Sequence, residues 1–176
     1  MIALLRRWLS ASLLAMSLIA VALPALAQEG QRCGTLPAPV AAKRDAIAAA
    51  AARDDLAAMA ALANPEDAFG FGDVEDIGAT WIDWKKRGTD MAAIARALLA
   101  LDCSVYSGDG RDYYAWPVAA DLPASALTDE ERAKIAEING GDFEAQYIEG
   151  SENGYYVGWR IVIIEDGRWT AFVAGD

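Results

Sequence analysis

Two apolar runs close the chain, and they constrain its fold more than any other feature. Residues 155–164 are rich in aromatic and β-branched side chains, and residues 169–173 form a second run of the same kind. Such residues favour β-strands, and the Asp166-Gly167 pair between the runs favours a tight hairpin turn. We therefore predict a C-terminal β-hairpin in which Ile161 lies opposite Phe172.

The turn length decides which side chains share a face of this hairpin. A two-residue turn places Ile163 opposite Thr170, and it puts Trp169 on the face opposite to Ile161, Ile163 and Phe172. A bulged three-residue turn shifts this register and exchanges the faces of the return strand. The sequence favours the two-residue turn and leaves the bulged turn as an alternative.

Helical patterns fill most of the chain before the hairpin. Alanine-rich stretches have high helix propensity, and apolar residues at a spacing of 3.6 indicate amphipathic helices. Helices are predicted over residues 40–53, 56–63 and 79–87, after Thr89, and from Thr128 to about Ile138. The last one begins with a capping box, formed by Thr128 and Glu131. The predicted class is therefore α+β, with N-terminal helices packed on a small antiparallel sheet that ends in the C-terminal hairpin.

The first 27 residues have the organisation of a secretory signal peptide. Arg6 and Arg7 precede an apolar run, and Ala25-Leu26-Ala27 supplies the small residues that a signal peptidase recognises. An uncleaved membrane anchor is the alternative, but the run is short for a span. We expect cleavage near Ala27, a periplasmic or secreted location, and one domain over residues 28–176 with no membrane span.

The chain has two cysteines, Cys33 and Cys103. In an oxidising compartment an even pair of cysteines indicates a disulfide bond. A redox-active pair is the alternative, but the sequence contains no Cys-x-x-Cys motif. We therefore predict a structural disulfide between Cys33 and Cys103.

Charge and composition exclude several kinds of function. The absence of histidine excludes nucleophile sites and zinc sites that depend on an imidazole. A net charge of −11 argues against a nucleic-acid partner. Asp73, Glu75 and Asp76 lie in a glycine-rich acidic loop without the spacing of a calcium site, so a solvated loop is expected there. No cofactor or metal is expected.

The end of the chain resembles that of an uncharacterised family of small secreted alphaproteobacterial proteins. The resemblance is carried by residues 166–176, by a Tyr-x-Trp-Pro segment at residues 114–117, and by a Leu-Thr-x-x-Glu segment at residues 127–131. It covers about the C-terminal third to half of residues 28–176. The resemblance implies a secreted protein and no particular chemistry.

A non-catalytic binding or cell-envelope module is the function that the sequence favours. Aromatic rings can stack on sugar rings, and an arginine side chain can bind a carboxylate. The candidate binding surface consists of Tyr114, Trp116, Tyr156 and Arg160, with a cell-envelope polysaccharide or a protein as the partner. The alternative is that these aromatic side chains fill the core and that Arg160 pairs with an acid.

A histidine-free hydrolase acting on cell-wall polysaccharide is a second hypothesis. Such an enzyme needs two carboxyl groups that face each other across a cleft. The candidates near aromatic residues are Asp83, Glu144 and Glu149. If these acids lie on an open surface, the hypothesis loses its basis.

Overall fold

A computed structural model describes residues 30–68, 76–148 and 155–175. Five α-helices occur among these residues: α1 Ala38–Ala52, α2 Leu56–Ala60, α3 Ile77–Lys86, α4 Met91–Leu99 and α5 Asp129–Ile138. The strands are β1 Gln31–Arg32, β2 Ala63–Ala68, β3 Ser104–Gly108, β4 Arg111–Trp116, β5 Tyr147–Ile148, β6 Tyr155–Tyr156, β7 Arg160–Ile164 and β8 Trp169–Val173. The predicted α+β class is confirmed.

The main sheet has six strands in the order β1-β3-β4-β7-β8-β2. All neighbours are antiparallel except β2 and β8, which run parallel. A second, two-stranded sheet pairs β5 with β6. The predicted C-terminal hairpin is formed by β7 and β8, and it lies inside the main sheet because β2 covers the outer edge of β8.

The hairpin turn is the bulged form. Gly167 has a φ of +88° and its amide donates to the carbonyl of Ile164 at 2.8 Å, so three residues form the loop. Ile163 therefore pairs with Trp169, and the predicted pairing of Ile163 with Thr170 is wrong. A second irregularity follows, and it restores the predicted pairing of Ile161 with Phe172.

This double adjustment places two large aromatic side chains on one face of the sheet. Trp169 and Phe172 are both completely buried, although a regular strand would turn residues three apart to opposite faces. The fully buried Trp81 of α3 packs against both rings, with centroid distances of 5.9 Å to Trp169 and 5.6 Å to Phe172. The sequence prediction failed for Trp169 because burial of its ring outweighs a regular ladder.

The helices pack against the same face. Apolar side chains of α1 to α4 and of β4, β7 and β8 form the principal core cluster, which includes Ile47, Met59, Leu98, Ile161 and Ile163. Beside α5, a smaller cluster contains Val118, Leu127, Ile135, Phe143 and Tyr156. The sheet thus has one face buried under helices, as the predicted packing requires.

Several element boundaries differ from those expected. The helix α2 ends at Ala60, before the predicted end at residue 63, and β2 begins at Ala63, where no strand was predicted. A proline and acidic residues weaken the strand pattern of β2, but an edge strand tolerates both. Asp90, not Thr89, caps α4 by accepting the amide of Ala93 at 3.0 Å. At α5 the predicted capping box of Thr128 and Glu131 is confirmed.

The disulfide between Cys33 and Cys103 is confirmed. The two Cα atoms lie 5.4 Å apart, and the Cys33 amide donates to the Cys103 carbonyl at 2.8 Å. The bond joins the segment after β1 to the residue before β3. The predicted signal peptide lies outside the described residues, and among those that are described no helix is long and apolar enough to cross a membrane.

Candidate functional site

The four residues predicted to bind a ligand do not form one surface. Tyr114 and Trp116 of β4 point into the principal core, where Trp116 is 2 % exposed. Tyr156 is buried in the smaller cluster, and Arg160 is half-buried at the start of β7. Buried rings offer no open face for a ligand, so their role in this protein is packing.

The Tyr156 hydroxyl links α5 to the segment before β7. It accepts a hydrogen bond from Asn139 Nδ2 at 2.9 Å and donates to the Trp159 carbonyl at 3.2 Å. Asn139 Oδ1 in turn accepts the Trp159 amide at 2.8 Å. Burial raises the pKa of Tyr156 to about 12. These bonds fix the position of Trp159 relative to the end of α5.

Arg160 belongs to a polar cluster on the other face of the sheet. Ser104 is completely buried and its hydroxyl donates to Asp121 Oδ2 at 2.6 Å. Burial raises the pKa of Asp121, while the Ser104 hydrogen bond and the nearby Arg160 guanidinium both oppose this shift. Arg160 thus lies close enough to Asp121 to influence its pKa, but Arg160 Nη1 is buried without a hydrogen-bond partner among the described residues. The pairing of Arg160 with an acid, which the packing alternative expected, is therefore not seen in the described part of the chain.

A cleft between α3 and β7 has the properties expected of a binding site. Trp84 of α3, Trp159, Arg87 and Thr89 line this cleft, which has a volume of about 220 Å³. Both indole side chains are half-buried against the principal core, so each keeps part of its surface open. We refer to these four residues as the tryptophan cleft.

The end of α3 explains how Thr89 reaches Trp84. Gly88 has a φ of +100°, a left-handed conformation that glycine adopts without strain, and it reverses the chain at the helix terminus. The Thr89 amide then donates to the Trp84 carbonyl at 2.9 Å. A glycine after a helix indicates such an end, but the consequence of Gly88 for Thr89 depends on the backbone geometry.

Both tryptophans of the cleft are anchored on the aromatic core. Trp84 follows the buried Trp81 by three residues on α3, and Trp159 packs against Phe172 at a centroid distance of 5.7 Å. A spacing of three residues puts Trp81 and Trp84 on one face of α3, but nothing in the sequence brings Trp159 to them, because the three residues meet only through the tertiary fold. Residue spacing on α3 was therefore the one available signal for this site.

The polar rim of the cleft is charged and open to solvent. Arg87 Nη2 lies 2.7 Å from Asp83 Oδ2, and their side chains are 64 % and 60 % exposed. Exposed ion pairs of this kind contribute little to stability. The Arg87 guanidinium can therefore exchange Asp83 for the carboxylate of a ligand at small cost.

The acids proposed for a hydrolase do not form a catalytic pair among the described residues. Asp83 is exposed and pairs with Arg87, and Glu144 is exposed at a 3₁₀ turn. Glu149 lies outside the described residues. Neither described acid is buried against apolar side chains, as the general acid of a glycosidase would be.

The described residues also contain no group of three or more acidic or cysteine side chains that could hold a metal ion. Asp76 accepts the Ala79 amide at 2.9 Å and caps α3, while Asp73 and Glu75 lie outside the described residues. The resemblance to a family of secreted proteins stays a prediction. Comparison of the chain with protein-family models, with curated proteins and with solved structures gave no match.

Proposed function

We propose that this protein is a non-catalytic binding module that works outside the cytoplasm and holds a cell-envelope polysaccharide in the tryptophan cleft. The observation that carries the proposal is that two half-buried indole rings, from distant parts of the chain, line one cleft beside a guanidinium group. The predicted binding surface also combined aromatic rings with an arginine. In the tryptophan cleft, Trp84, Trp159 and Arg87 supply these groups.

The shape and chemistry of the cleft favour a sugar ring. Aromatic faces carry partial negative charge and attract the C–H groups of a sugar. The volume of about 220 Å³ is below the range of about 300–1,000 Å³ typical of whole-ligand pockets, so the cleft suits a single ring of a longer chain. The Arg87 guanidinium can bind a carboxylate of the ligand, and the Thr89 side chain adds a hydroxyl group. Murein offers both sugar rings and carboxylates.

The proposed location rests on the disulfide and on the predicted signal peptide. Disulfide bonds persist in oxidising compartments such as the periplasm, and the Cys33–Cys103 bond is the one that this chain forms. A leader of the kind predicted over residues 1–27 would deliver the chain to such a compartment.

The proposal is tested by co-sedimentation of the purified protein with murein sacculi. We expect Trp84→Ala and Trp159→Ala each to lower the affinity of the protein for the sacculi about fivefold. This factor corresponds to about 1 kcal/mol per stacking ring. Ile82→Ala is the matched control, because Ile82 is an exposed apolar residue of the same helix outside the cleft. Circular dichroism of each variant checks that the fold is kept.

The Arg87→Lys variant tests the role proposed for the guanidinium. It keeps the positive charge but loses the planar group that binds both oxygens of a carboxylate. We expect weaker binding to murein and unchanged binding to chitin, whose sugar units have no carboxylate. Equal retention of the two tryptophan variants and of Ile82→Ala would overturn the proposed function.

A further inference from the structure

A groove between α4 and α5 has an apolar floor that the described chain does not cover. Its volume is about 420 Å³. The floor consists of Ala93, Ile94, Ala97, Leu101 and Ile138, which are all half-buried. We call it the α4–α5 groove, and Lys134 and Glu137 form its rim.

Acidic side chains dominate the surroundings of the groove. A neighbouring cavity of about 440 Å³ shares Ala100, Leu101 and Lys134 with it. That cavity adds Arg32 but also three acids, Asp102, Glu130 and Glu131.

Both basic groups near the groove are already paired. Arg32 forms hydrogen bonds with Glu131, and Lys134 Nζ donates to Glu130 Oε1 at 2.8 Å. Glu137 is exposed on the rim and has no ion-pair partner among the described residues. The field at the groove is therefore negative, which favours a cationic occupant.

The length of the groove matches a short helix. From Ala93 to Ala100, the cap residue of α4, the helix advances by about 10 Å, at about 1.5 Å per residue. A docked helix presents apolar anchors at positions i, i+3, i+4 and i+7, which span a similar length. The small side chains of Ala93 and Ala97 leave room for larger anchors from the partner.

We propose that the α4–α5 groove docks an amphipathic helix of a partner protein that carries apolar residues on one face and lysine or arginine at its edges. A fatty acid would fill the apolar floor equally well, but its carboxylate would meet Glu137 and Asp102 and be repelled. The groove shares no residue with the tryptophan cleft, so this proposal stands apart from the proposed polysaccharide binding.

Fluorescence anisotropy with a labelled synthetic peptide tests the docking. The probe is a helical peptide of about 14 residues with leucine at i, i+3, i+4 and i+7 and lysine at the flanking positions. The matched probe has the same leucines and glutamate in place of lysine. We expect saturable binding of the lysine peptide and at least tenfold weaker binding of the glutamate peptide.

Variants of the groove show whether the peptide binds there. Ala97→Leu fills the floor and is expected to weaken binding about tenfold, and Glu137→Lys is expected to weaken it several-fold. Asp45→Lys on α1 makes the same change in net charge at a side chain that is 66 % exposed and outside the groove, and it should leave binding unchanged.

Thermal unfolding of Ala97→Leu checks that the fold is kept, and the exposed Glu137 gives an independent test if it is not. The proposal is overturned if both groove variants bind the lysine peptide like the wild type, or if Asp45→Lys weakens binding as much as Glu137→Lys. Displacement of the peptide by dodecanoate would overturn it in favour of a lipid ligand.

Discussion

Arg32 and Glu131 lie 99 positions apart in the chain and meet in a two-pronged ion pair. Arg32 Nη1 donates to Glu131 Oε1 at 2.5 Å, and Nη2 donates to Oε2 at 3.0 Å. The same glutamate accepts the Thr128 amide at 2.7 Å in the capping box of α5. One carboxylate thus holds β1 to the start of α5, and these contacts lower the pKa of Glu131 to about 2.

The ion pair makes stability depend on acid. The pKa of Glu131 is about 2 in the folded protein, against an ordinary value of 4.5, so its stabilising contribution is full above pH 4.5 and is lost as the pH falls towards 2. We expect Glu131→Gln to lower the free energy of unfolding by about 1–2 kcal/mol at pH 7. Urea unfolding at pH 7, 4 and 2.5 should show the difference from wild type shrinking.

Glu130→Gln is the control for this prediction. Glu130 is the neighbouring glutamate and pairs with Lys134 on the open surface, so we expect little change in stability at any pH. A Glu131→Gln variant as stable as the Glu130→Gln variant at pH 7 would contradict the role given to the Arg32 pair.

Reduction of the disulfide should cost the chain a large part of its stability. Cys33 and Cys103 are separated by 70 positions, and a bond that closes such a loop stabilises by about 4 kcal/mol through the entropy of the unfolded state. We expect the Cys33→Ala, Cys103→Ala double variant to show this loss in urea unfolding. Dithiothreitol should lower the wild type to the same level and leave the double variant unchanged.

The Phe172 ring should be the most costly to remove in the hairpin. It is completely buried and touches Trp81, Trp159 and Trp169, with centroid distances of 5.6 to 5.9 Å. We expect Phe172→Ala to lower the free energy of unfolding by about 3–5 kcal/mol and Phe172→Leu by much less. Tyr155→Ala, at an exposed site, should change it by less than about 0.5 kcal/mol. Similar losses for Phe172→Ala and Tyr155→Ala would refute the packing role.

Asp121 should destabilise the folded protein at pH values where its carboxyl group is ionised. Burial raises its pKa above the ordinary 3.8, so the stability of the folded protein is full below pH 3.8 and falls as the pH rises through the raised pKa. Asp121→Asn keeps an oxygen that can accept the Ser104 hydrogen bond and cannot ionise. We expect the variant to be more stable than wild type at pH 7 and similar at pH 3, measured by urea unfolding. A variant less stable at pH 7 would show that the Arg160 charge outweighs burial.

Features that depend on residues close together in the chain, or on residue type alone, could be predicted from the sequence. Features that depend on tertiary packing could not. The capping box at Thr128 and the Cys33–Cys103 bond each follow from residue type and spacing. The pairing of Ile161 with Phe172 was predicted correctly only because the second irregularity in the hairpin offsets the longer turn. By contrast, β2 was missed because an edge strand is specified by its partner's free backbone groups more than by its own side chains.

The candidate site shows the same limit. From the sequence, an aromatic residue in a strand is as consistent with burial in the core as with ligand binding. Which of the two applies depends on which face of the sheet the helices cover. That face takes Tyr114 and Trp116 into the core. The half-buried rings that line the tryptophan cleft belong to Trp84 and Trp159, which no spacing rule connects.

The position of β8 has a consequence for how the chain acquires its structure. Its residues Trp169–Val173 pair with β7 on one side and with β2 on the other, and they supply two of the buried rings. Until residues 169–173 are in place, the free edges of β7 and β2 and much of the aromatic core lack their partner. The six-stranded sheet therefore closes only when this one strand joins β7 and β2, which makes the insertion of β8 a step that the rest of the sheet must wait for.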